Sequence, residues 1–80
     1  MAQDIPALMT LVAKALVDAP EEVGAETFDE NGQIVLELQV AENEVGKIIG
    51  RQGRMARSLR TILGAAAGKT GKRYQLEILE

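Results

Sequence analysis

Gly50 and Gly53 enclose Arg51 and Gln52 within a segment, residues 45–76, that holds eight of the nine basic residues and no acid. Glycine has no Cβ, so it accepts positive φ and lets another chain approach its amides closely. Arg51 and Gln52 are long polar donors with no core to fill. Lys47, Arg54 and Arg57 fall within a turn or two of them, and Arg60 follows one turn further on. Positions 54, 57 and 60 step by three, which on a helix makes one gently drifting stripe. Gly53 stands where a helix would begin, and free N–H groups at a helix start favour a phosphate. Backbone amides and arginines together suit a strand of RNA or DNA. The expected phosphate contacts are Lys47, Gly50, Arg51, Gln52, Gly53, Arg54 and Arg57.

Other chemistry is poorly supplied. The chain has no His and no Cys, which removes imidazole bases, thiol nucleophiles and thiolate zinc sites. No catalytic residue and no cofactor are expected. Glu42 and Glu44 lie two apart at a helix start, so they point to different sides, and complementing the helix dipole is their expected role. Asp29-Glu30-Asn31 is explained by a turn without a metal. Gly64-Ala65-Ala66-Ala67-Gly68-Lys69-Thr70 has three residues between its glycines, where a nucleotide-binding P-loop needs four. One Phe and one Tyr cannot build an aromatic stacking platform, so Phe28 and Tyr74 are read as core or sheet residues.

The elements that must position these residues follow from periodicity. Asp4 before Ile5-Pro6 reads as an N-cap with proline in the first turn. Ile5, Leu8, Met9, Val12 and Leu16 then recur at helical spacing to about residue 17, and Pro20 stops the helix. Extended runs at 23–28 and 33–40 flank Asn31-Gly32, a strong type I′ hairpin signal. In the second run Ile34, Leu36, Leu38 and Val40 are expected inward, with Val35, Glu37 and Gln39 facing water. A short helix is expected over about 42–49 with Val45, Ile48 and Ile49 inward, broken by the 50–53 stretch. A longer helix over about 54–67 carries Met55, Leu59, Ile62, Leu63 and Ala66 on one stripe. Residues 68–71 turn out of it, and 73–79 close as a strand with Tyr74, Leu76 and Ile78 on one face. The order αββααβ predicts an α+β fold, a three-stranded sheet with its helices packed on one face.

The totals set the bounds. Eighty residues read as one domain spanning 1–80, near the small end of what folds alone. Such a chain buries only about 60% of its unfolded surface, so self-association would supplement a thin core. Leu11 and Ala15 on the first helix are candidates for that surface. No apolar run approaches a membrane span, and residues 1–4 lack a signal-peptide charge pattern. The expected setting is the cytoplasm. Net charge is −3, but residues 1–44 stand at −9 and residues 45–76 at +8. One anion-seeking surface on an acidic body is the result.

With Gly46-Lys47-Ile48-Ile49-Gly50-Arg51-Gln52-Gly53-Arg54 set between a hairpin and a final strand, the chain resembles the KH domain. That domain's Ile-Gly-x-x-Gly loop clamps about four nucleotides of a single strand. The αββααβ order is similar to the bacterial type II arrangement. The following Ala56-Arg57-Ser58-Leu59-Arg60-Thr61 and the helix ending near Asp18-Ala19-Pro20 resemble the small single-domain bacterial KH proteins of the KhpA type over nearly the whole chain. The resemblance implies RNA binding without catalysis, as an RNA chaperone or post-transcriptional regulator. It also implies a homodimer and, in many bacteria, a heterodimer with a larger KH-containing partner. By resemblance residues 50–53 are the phosphate clamp, and Ile48 and Ile49 are the expected aliphatic contacts in a floor under the bases. Two positions depart from the wider pattern: Ala56, where isoleucine is common, predicts a shallower groove, and Gly64 loosens the helix by up to about 1 kcal/mol. Two other functions use the same residues, a protein–protein adaptor built on the KH scaffold and helix-turn-helix binding of duplex DNA.

Overall fold

The computed structural model describes residues 4–80, so the reading of residues 1–3 lies outside the described residues. Helix α1, Ile5–Leu16, opens on Asp4, whose side chain accepts from the Ala7 amide at 3.0 Å. That bond satisfies one of the amides a helix start leaves free. Extended backbone at Val17 ends the helix, and Pro20–Glu22 forms one 3-10 turn. Strands β1, Gly24–Glu30, and β2, Gln33–Gln39, pair antiparallel across Asn31 and Gly32. Both turn residues take positive φ, 57° and 85°, as a type I′ turn requires. The Asp29 side chain tightens the turn by accepting from the Gly32 amide at 3.1 Å.

A 3-10 turn, Glu42–Glu44, leads into helix α2, Val45–Ile49. The expected single helix over 42–49 is therefore a 3-10 turn joined to one of only five residues. Helix α3, Arg54–Gly68, runs straight through Gly64, and strand β3, Arg73–Ile78, closes the chain. The 64–70 stretch thus ends a helix and turns toward a strand, the reverse of what a P-loop needs. The sheet order is β1-β2-β3, with β3 parallel to β2. A parallel pair needs a long crossover, and α2 and α3 supply it.

Leu36, Leu38 and Leu76 face the helices and pack with Ile5, Met9 and Ala13 of α1, Ile48 of α2, and Leu59, Leu63 and Ala67 of α3. The other sheet face bears no helix, and Glu26, Glu37 and Glu77 share one row across all three strands. Val35 corrects the expected alternation: it is 7% exposed. It sits mid-sheet on the helix-free face, with Phe28 on one neighbouring strand and Gln75 on the other. Phe28 is exposed on that face, whereas Tyr74 packs against the core. The core arc of α3 is Ala56, Leu59, Leu63 and Ala67, flanked by Met55 and Ala66. Ile62 is exposed, because a residue beside Leu63 is turned about 100° from it.

Candidate nucleic-acid interface

The interface is built at the junction of α2 and α3. The Gly50 amide donates to the Gly46 carbonyl at 2.8 Å and closes α2. Gly50 then takes φ 77° and ψ 172°, a region reserved for glycine. Space enforces the same choice. A Cβ on Gly50 would stand 2.7 Å from the Met55 Cβ and 2.8 Å from the Met55 amide nitrogen. Arg51–Gly53 forms one 3-10 turn, closed by the Gly53 amide donating to the Gly50 carbonyl at 3.1 Å. Inside it Gln52 lies at φ 57° and Gly53 at φ 72°, two left-handed residues in succession. A non-glycine residue there stores about 1–2 kcal/mol of strain. Gly53 has open space where a Cβ would stand. Its lack of a side chain therefore serves conformation and leaves the backbone open to a ligand.

The loop delivers the chain into the first turn of α3, which has no side-chain cap and no acidic residue. Arg51, Gln52, Arg54 and Arg57 are all exposed around it. The Arg54 guanidinium donates to the Gln52 side-chain oxygen at 3.2 Å, which links a loop residue to the helix stripe. Among the described residues no carboxylate lies within ion-pair distance of Arg51, Arg54, Arg57 or Arg60. Their charge is offset by nothing the described chain supplies. An anion is the natural complement. A hollow at the far end of α2, lined by Val40, Val45 and Leu79, is rimmed instead by Glu22, Glu42 and Glu80 and suits no phosphate.

Two expected contacts, Lys47 and Ile48, are placed differently. Lys47 is spent within the protein: its Nζ lies 2.6 Å from Asp18 Oδ2 and 3.3 Å from Glu44 Oε1. Those hydrogen bonds, Asp18 first and Glu44 second, raise its pKa above the usual lysine value. Ile48 is wholly buried among core residues and has no surface to offer a base. Ile49 keeps partial exposure. Ala56 is 4% exposed, so its small size answers core packing and does not shape the surface groove.

Glu44 is the residue that sequence reasoning misassigned. Its carboxylate is buried and accepts from the Asp18 amide and, at 3.0 Å, from the Ala19 amide. The Asp18 bond chiefly holds its pKa below the ordinary glutamate value, burial opposes, and the Ala19 and Lys47 bonds assist. The only local signal was Lys47, three residues on. The amides it meets lie 25 and 26 residues back, beyond the reach of pattern.

A helix-loop-helix with two glycines, inserted between parallel strands of a three-stranded α+β sheet, defines a type II KH domain. The model of the family described as KhpA/KhpB, KH domain matches residues 7–78, and the chain belongs to that family. Relatives described as "RNA-binding protein KhpA" include one from Borreliella burgdorferi, 49% identical over 91% of this chain and 89% of its own length. One from Aquifex aeolicus is 49% identical over 91% and 92%, and one from Treponema pallidum 47% identical over 91% of each. No solved structure matches the chain.

Proposed function

We propose that the protein is a non-catalytic single-stranded RNA-binding module whose 50–53 loop grips about four nucleotides. The observation that carries this reading is the pairing of open backbone at Gly53 with exposed arginines that no carboxylate among the described residues offsets. The loop and the first turn of α3 receive phosphate, held by Arg51, Arg54 and Arg57, while bases rest on Ile49. The name of the relatives, RNA-binding protein, supports RNA as the ligand.

One such loop holds few nucleotides, so affinity is weak alone and rises when two copies act together. Leu11, 66% exposed on α1, supports pairing as a homodimer, and the joint KhpA/KhpB family description supports a second, KH-containing partner. The role follows as an RNA chaperone or post-transcriptional regulator. The test replaces Arg51 and Gln52 with aspartates and measures single-stranded RNA in a filter or gel-shift assay. Aspartate tolerates the left-handed backbone at 52 better than most residues, so the fold survives the change. Loss of binding is expected. Unchanged binding refutes the loop, and duplex DNA competing as well as RNA refutes the ligand. A dimer that never binds RNA would favour the adaptor.

A further inference from the structure

We infer that Glu44 is a positioning residue for the 50–53 loop, because its buried carboxylate ties the α1–β1 connection to the start of α2 and so sets where that helix aims the loop. The inference rests on the RNA-binding reading above. A five-residue helix does not hold itself in water, so the direction of α2 is imposed by what it touches. On one side the anchor is Ile48, wholly buried in the core. On the other it is a closed ring of polar groups. Glu44 accepts from the amides of Asp18 and Ala19, and Lys47 bridges the Glu44 and Asp18 carboxylates.

The ring fixes α2 at its N-cap and at its third residue, Lys47. Only Ile48 and Ile49 then separate the anchored turn from Gly50. The two amides it satisfies belong to the stretch after α1, where backbone N–H groups have no helical or sheet partner of their own. Removing the carboxylate would leave two part-buried amides facing α2 without their acceptor, which disfavours the arrangement that holds them there. The connection and α2 would then part. The loop would lose its aim although no loop residue had changed. Lys47 thereby acquires a role that accounts for a cation beside the loop that does not face a phosphate.

The experiment compares wild type with Glu44→Ala and Glu44→Gln, using a fluorescein-labelled mixed-sequence oligoribonucleotide in anisotropy titrations, at a temperature where circular dichroism finds each variant folded. Hydrogen exchange of the amides at 50–53 is followed alongside. Glu44→Ala should weaken affinity about fivefold, the equivalent of one lost hydrogen bond. Its loop amides should exchange faster while those of β2 do not, and the salt dependence of binding should stay that of wild type, since the phosphate cations are intact. Glu44→Gln keeps one acceptor oxygen and should fall between; it carries the same test if the alanine variant does not fold. Unchanged affinity and loop exchange, with only a lower melting temperature, overturn the inference. If wild type itself fails to bind RNA, the RNA-binding reading falls, and loop exchange alone decides the positioning role.

Discussion

Replacing Gly50 by alanine should damage the protein far more than the same change at Gly53. At Gly50 two effects coincide. Its φ of 77° and ψ of 172° lie in a region where a side chain stores about 1–3 kcal/mol of strain. The added Cβ would also stand 2.7 Å from the Met55 Cβ and 2.8 Å from its amide nitrogen. Those atoms belong to the first turn of α3, so relief requires moving the helix, a further 1–3 kcal/mol or so for overpacking. The sum is about 4 kcal/mol, which for a domain of this size lowers Tm by roughly 16–32 °C. At Gly53 only the left-handed φ of 72° counts, since nothing lies within 4 Å of its Cβ position. About 1 kcal/mol, or roughly 4–8 °C, is expected there. Thermal unfolding followed by far-UV circular dichroism distinguishes the two. Equal shifts, or a Gly50→Ala shift below about 5 °C, would refute the argument from space.

Acid should expose Glu44. A carboxyl whose folded pKa is depressed adds stability above its unfolded pKa, near 4.3, and that stability is lost as pH falls through the folded value. Wild type should therefore lose more of its urea midpoint than Glu44→Gln between about pH 5 and pH 3; parallel losses would remove the carboxylate from the account. Three neutralised phosphates give a slope of log affinity against log salt of about −2, and Arg57→Gln should reduce it by about 0.7, measured by anisotropy over a salt series. Leu11→Glu changes an exposed residue, so stability should shift by less than about 0.5 kcal/mol while size-exclusion mass falls from dimer to monomer.

Much of the fold was legible because local rules agreed with it. Asp4, Asn31-Gly32 and Gly50 each act on their immediate neighbours and open, turn or end an element where expected, whereas α1 already ends at Leu16 and Pro20 opens a 3-10 turn. The loop was legible for the same reason: two glycines at fixed spacing state a backbone requirement directly. What escaped depends on partners distant in sequence. Ile48 and Ile49 are equivalent as letters, and only the rotation of α2 against α3 and the sheet buries the first. Ile62 fits a helical stripe, but the sheet receives the arc through Leu59 and Leu63. Lys47 counts as one of eight cations until Asp18 and Glu44 arrive beside it. Charge tallies cannot see that pairing, because the connection after α1 lies more than 25 residues from the ion it neutralises.

The placement of single-stranded RNA on the 50–53 loop and the first turns of α3 is tested most directly by an amide NMR titration of the labelled protein with a short single-stranded oligoribonucleotide. The largest shifts should fall on Gly50, Arg51, Gln52, Gly53, Arg54 and Arg57, while Glu26, Glu37 and Glu77 on the helix-free sheet face stay still. Shifts centred on that face or on α1, with the loop unmoved, would contradict it.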